Sequence, residues 1–168
     1  MDQGGKNVEV RTSSTLVLDS HLAPLSYTWS QNGTQSSQLN VDFRVHPARV
    51  RYKTINGQDE RRDFKLDKDV VVLDDNAIHQ YQLAVARYDP AAGGMQTLHA
   101  FIPQEALPGV ITLSFMGPEP VNVAGETMTL RHFLLATELT QINLWVDDHG
   151  HLQAVSAPDA QFQAVRKK

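Results

Sequence analysis

The chain has 168 residues, 41% hydrophobic and 20% charged, with a net charge of −4; these are the proportions of a globular protein, and the length suits one domain. It contains no cysteine, which excludes disulfides, zinc–thiolate sites and thiol nucleophiles. The longest apolar stretch, Leu130 to Leu144, is interrupted by Arg131, His132, Glu138 and Gln141, so no transmembrane segment is expected. In chain order, residues 1–6 read as a disordered tail without the apolar core of a secretory leader, and residues 7–168 as a single β-rich domain. Val8 to Arg11, Leu16 to Leu18 and Leu25 to Ser30 are strand material. Two Asn-Gly pairs, Asn32-Gly33 and Asn56-Gly57, stand between strand-forming runs and predict hairpin tips, since this dipeptide tolerates positive φ. Asn32-Gly33-Thr34 also fits the N-glycosylation pattern, which the tight turn explains without a sugar. Between the pairs, Leu39, Val41, Phe43 and Val45 alternate with polar residues, the period of a strand with one buried face, until His46-Pro47 interrupts it.

A single segment has a helical period. From Asn76 to Tyr88 the residues Ile78, Tyr81, Val85 and Tyr88 recur at three- and four-residue steps, with Asp74, Asp75 and Asn76 as capping residues and Asp89-Pro90 and Gly93-Gly94 as the stop. Met95 to Ile102 follows as a strand, and Pro108-Gly109, Gly117-Pro118 and Pro120 confine Val110 to Phe115 to a short one. From Glu126 to Arg166 alternation resumes as a meander, with turns at Asp147 to Gly150 and at Ala157-Pro158-Asp159. The fold class expected is α+β, mostly β: a strongly curved antiparallel sheet or incomplete barrel with one amphipathic helix at about residues 75–88.

Charge is uneven. Residues 44–68 carry eight basic and four acidic side chains, a local excess of four positive charges (eight less four). Alternation with Phe43, Tyr52 and Phe64 reads as the solvated side of half-buried strands, and the sparse aromatic residues argue against a nucleic-acid partner.

Three constellations are candidates for chemistry. Asp147, Asp148, His149 and His151 crowd four metal-ligand types into five residues, yet Asp, Gly and His are also what a hairpin turn uses. Asp75 and His79 stand one helical turn apart, a spacing that is usually structural, and Tyr81 beside them belongs to the apolar stripe. Met128, Leu130, His132 and Leu134 share one side of a strand, three apolar side chains with one polar handle, and are the expected ligand-binding residues. Trp29 and Trp145 sit among polar residues on strands, where an indole can close a barrel mouth or pack on a sheet. No phosphate loop, nucleophile elbow, HExxH or EF-hand pattern occurs, so no catalytic residue, no metal and no cofactor is expected.

Asp69 to Asn76 running to His79-Gln80-Tyr81, then Phe101-Ile102-Pro103-Gln104, then Leu144 to Asp148 with Gly150-His151-Leu152, together resemble a group of uncharacterised bacterial exported proteins carrying a domain of unknown function. The resemblance implies a periplasmic or secreted location and a curved sheet similar to lipoprotein-carrier half-barrels, and it supplies no catalytic residue. The function expected is therefore a noncatalytic β module that binds a lipid or other amphiphilic small molecule on the concave face of its sheet. The rivals are an envelope interaction or scaffolding domain with a protein partner, and a metal-dependent hydrolase using Asp147, His149 or His151.

Overall fold

A computed structural model describes residues 10–32, 36–53, 59–74 and 77–167. The fold is mostly β with one short helix. Contacts gather the chain into two compact units, residues 1–69 and 70–168.

The first unit is a five-stranded antiparallel meander: β1 (Arg11–Leu18), β2 (Pro24–Asn32), β3 (Ser37–Asp42), β4 (Ala48–Lys53) and β5 (Asp59–Phe64), in that order across the sheet. Register places Tyr27 beside Val41 and Val41 beside Val50, so the alternating apolar positions line up across three strands. Tyr27 and Val50 are fully buried, as are Leu39, Val41 and Phe43 to within 8% exposure, which is the one-faced burial that the alternation predicts. The two expected hairpins are present as antiparallel pairs, while Gly33 and Asn56-Gly57 at their tips lie outside the described residues.

The basic segment pairs within itself. Arg61 meets Asp63 at 2.8 Å, Arg62 meets Glu60 at 3.5 Å and Arg44 meets Asp42 at 2.8 Å. Arg61 also holds the Asp63 carboxyl below its ordinary range through that hydrogen bond. Strand β5 is exposed at Asp59, Glu60, Arg61, Arg62 and Asp63, a charged edge of the kind that discourages further strand pairing.

The second unit is a curled half-barrel of seven strands. These are β6 (Val71–Val72), β7 (Met95–Ile102), β8 (Leu107–Val123), β9 (Glu126–Ala136), β10 (Gln141–Val146), β11 (Leu152–Ala157) and β12 (Phe162–Val165), running from β12 at one edge to β6 at the other. The sheet is mixed, because β6 lies parallel to β7. Val70, Val71, Val72 and Leu73 are all buried, as expected of a parallel strand covered on both faces, and such a run shows no alternation to read.

Strand β8 corrects the expected short strand. It runs through every proline of its stretch, because Pro108 lies where β8 pairs with β7 alone and Pro118 and Pro120 where it pairs with β9 alone. A missing N–H costs no ladder bond when it faces an edge without a partner. Between the two halves the register slips at Met116, and Gly117 takes φ +111°, the conformation a bulge asks of glycine.

The helix is shorter than expected. A 3₁₀ turn at Ile78–Gln80 leads into α1 (Tyr81–Ala86), and no side-chain hydrogen bond caps either start. Asp74 contributes its backbone carbonyl, which accepts from the Ala77 N–H at 3.1 Å; Asp75 and Asn76 lie outside the described residues. The apolar stripe is as read: Ala84 and Val85 are buried with Leu113, Phe133, Leu135 and Leu144, while Ile78, Tyr81 and Tyr88 pack at the margin. The Tyr88 ring meets Phe133 edge-on at 5.3 Å.

Candidate functional site

Two clefts open where α1 and the turn before it lie against the β10, β11 and β12 end of the half-barrel. The first, about 350 Å³, is lined by Ile78 and Tyr81 from the helical segment and by Ile142, Val155, Ala157 and Phe162 from the strands. The second, about 410 Å³, begins at the same Ile78 and Val155 and continues past Leu152 and Val165 to His79, Gln82, His151 and Arg166. Both volumes fall in the range of roughly 300–1,000 Å³ usual for small-molecule sites.

Local chemistry explains why the surface is left open there. Strand β12 is only four residues long and its Phe162 and Val165 remain 38% and 42% exposed, so β11 is incompletely covered. A 3₁₀ turn at Pro158–Ala160 swings the chain from β11 to β12, ending at Gln161 with φ +51°. Gln82, which lines the second cleft, ties α1 to the sheet by accepting the Leu152 N–H at 3.1 Å.

Successive side chains on a strand face opposite ways, and β9 divides accordingly. Phe133 and Leu135 point into the cluster that packs on α1. The expected ligand residues take the other side: Leu130 is buried at 1% exposure, Met128 and Leu134 are half-buried, and none of the four lines either cleft.

His132 is the centre of a polar cluster on that side. Its Nδ1 stands 3.0 Å from Glu119 Oε2 and its Nε2 2.8 Å from Asn143 Oδ1. The ring stacks on Trp145 at 4.9 Å, and the indole Nε1 donates to the same Glu119 oxygen at 3.1 Å. Trp145 is paired directly opposite His132 across β9 and β10, so register alone brings the rings together. Both ring nitrogens thus face partners within the sheet, Glu119 on β8 and Asn143 on β10.

The Asp147 to His151 segment is the turn between β10 and β11. Gly150 N–H donates to the Asp147 carbonyl at 3.0 Å, and Asp147 Oδ1 accepts from the His149 and His151 backbone N–H groups at 2.9 and 2.8 Å. His151 Nδ1 lies 3.3 Å from Asp147 Oδ2, while the His149 and His151 rings are 6.0 Å apart. Among the described residues, no group of three or more His, Asp and Glu side chains is placed to hold a metal ion. His79 sits exposed in the 3₁₀ turn, and Asp75, its expected partner, lies outside the described residues.

No family model, no curated protein and no solved structure matches the chain.

Proposed function

We propose that the protein is a noncatalytic binding module for an apolar or amphiphilic small molecule, which it holds between α1 and the β10 to β12 end of the half-barrel. The single observation that carries this reading is the apolar cleft over Ile142, Val155 and Ala157, walled by Ile78, Tyr81 and Phe162 and adjoining a second, more polar one with which it shares Ile78 and Val155. Apolar surface exposed in a concavity gains free energy when a hydrocarbon displaces water from it, at roughly 25 cal/mol per Å² covered. This differs from the expectation in its residues: the face that carries α1 supplies the lining, in place of Met128, Leu130, His132 and Leu134. Among the described residues no helix is long and apolar enough to cross a membrane. A periplasmic or secreted setting, supported by the resemblance of the three strings quoted above, would bring such a module into contact with lipids.

Uptake of the neutral dye phenylnaphthylamine, read by its fluorescence, tests the proposal. Ala160, exposed at the rim of the apolar cleft, tolerates a larger side chain without disturbing the core. Ala160→Trp is expected to weaken dye uptake about tenfold by filling the cleft, a change of roughly 1.4 kcal/mol, with an unaltered circular dichroism spectrum. His132→Leu is expected to leave uptake within about twofold while lowering stability by about 1–2 kcal/mol in urea, since it removes two hydrogen bonds away from the cleft. Native protein that takes up no dye, or a His132→Leu variant that loses uptake while Ala160→Trp keeps it, would refute the assignment.

A further inference from the structure

Resting on the apolar-ligand reading, we infer that the ligand is an anionic amphiphile, its tail in the apolar cleft and its carboxylate or phosphate head in the adjoining one. The two clefts are neighbours, with Ile78 and Val155 in both linings, so a tail seated in one brings its head group toward the other. Their linings differ in kind. The apolar cleft has only the hydroxyls of Thr140 and Tyr81 as polar side-chain groups in its lining. The adjoining cleft carries His79, His151 and Arg166, with the amides of Gln82 and Gln153, and among the described residues no carboxylate lines it.

Each of these groups is placed to serve an anion. Arg166 is anchored through its backbone, whose N–H donates to the Gln153 carbonyl at 2.8 Å, while its side chain is exposed at the rim. A guanidinium offers paired N–H donors that match the oxygens of a carboxylate or phosphate. His151, with Nδ1 against Asp147, and the exposed His79 both line the cleft. Among the described residues, Asp147 is the carboxylate in contact with this group, and it is occupied by its own hairpin, taking N–H donors from His149, His151 and the Gln153 side chain. A cationic head would meet three basic-type side chains here, and a neutral head would leave the guanidinium unpaired.

Displacement of bound phenylnaphthylamine by dodecanoate, dodecyl phosphate, dodecanol and dodecyltrimethylammonium separates the possibilities, because the tail is the same in all four. The expected result is that the two anions displace dye at about tenfold lower concentration than the alcohol, and the cation least well. Arg166→Gln is expected to abolish that preference while leaving dodecanol unchanged, and Arg166→Lys to retain most of it. Tighter binding of dodecanoate identifies a carboxylate head, and tighter binding of dodecyl phosphate a phosphate. Equal displacement by all four compounds, or a preference that survives Arg166→Gln intact, overturns the anionic assignment alone. Dye uptake with no displacement by any of them overturns it too, and failure of the dye itself to bind removes the reading beneath it.

Discussion

Leu144→Ala is expected to cost about 3 kcal/mol, inside the 2–5 kcal/mol typical of fully buried leucines, and to lower the melting temperature by about 2–4 °C for each kcal/mol lost. The reason is position. Leu144 is fully buried and lies in register with Phe133 on one side and Val155 on the other, at the middle of the cluster on which α1 packs. Truncation removes the transfer free energy of its side chain and leaves a cavity that the paired strands cannot close by moving, because their backbone ladders hold them apart. Leu139→Ala is the control: Leu139 is 93% exposed in the turn before β10, and a change within about 0.5 kcal/mol is expected there. Urea unfolding of both variants measures the difference, and equal costs at the two sites would contradict the assigned core. Because Val155 belongs to both core and cleft, Leu144→Ala is also expected to weaken dye uptake.

The second large effect belongs to Asp147. Its carboxylate is 20% exposed and serves four groups: two backbone N–H donors, the Gln153 amide at 2.8 Å and the His151 ring. Burial by itself pushes this carboxyl up. The His151 backbone N–H, the Gln153 side chain, the His149 backbone N–H and the His151 charge together outweigh that and hold it below its ordinary value. Asp147→Ala strands those donors and is expected to cost about 2 kcal/mol at neutral pH. A carboxyl with a depressed folded value contributes stability above its unfolded value of about 3.9 and loses it as pH falls through the folded one. The gap between wild type and Asp147→Ala should therefore be widest above about pH 5 and narrow steadily on acidification below about pH 4. A gap that stays constant down to pH 2 would show that the carboxylate's charge has no part in holding the turn.

How much of this was readable before the structure varies with the kind of contact. Leu39 and Val41 announced their burial, because a sheet with one covered face writes period two into its own residues. The Asp147 to Gly150 turn was equally legible, since its chemistry is confined to neighbours in the chain. Strand β6 was not, because burial on both faces erases alternation, and β8 was cut short by prolines whose harmlessness depends on which neighbour stops where. The helix lost its first turn to a 3₁₀ segment, a local geometry to which the three-and-four spacing of Ile78 and Tyr81 is indifferent.

The candidate site was the least legible part. Its walls come from residues 78–82, 140–142 and 151–166, three segments that sequence spacing cannot bring together. The sequence points to the even-numbered side of β9, with His132 as its polar handle, while the two clefts are lined by neither side of that strand. Phe133 and Leu135, on the odd-numbered side, are the residues that face α1. A single extended strand offers two equally patterned sides, and only its neighbours decide which one looks toward the helix.

The divided pairing of β8 has one more effect. Beyond Ser114, among the described residues, the strand has no partner on the side away from β9, and such a rim ordinarily invites other chains to stack on it. Pro118 and Pro120, two positions apart and hence oriented alike, withhold two donors from any would-be recruit. The same imino acids that disguised the strand from a reader of the sequence also disguise it from a neighbouring polypeptide, so the half-barrel can stay open without becoming a seed for fibres.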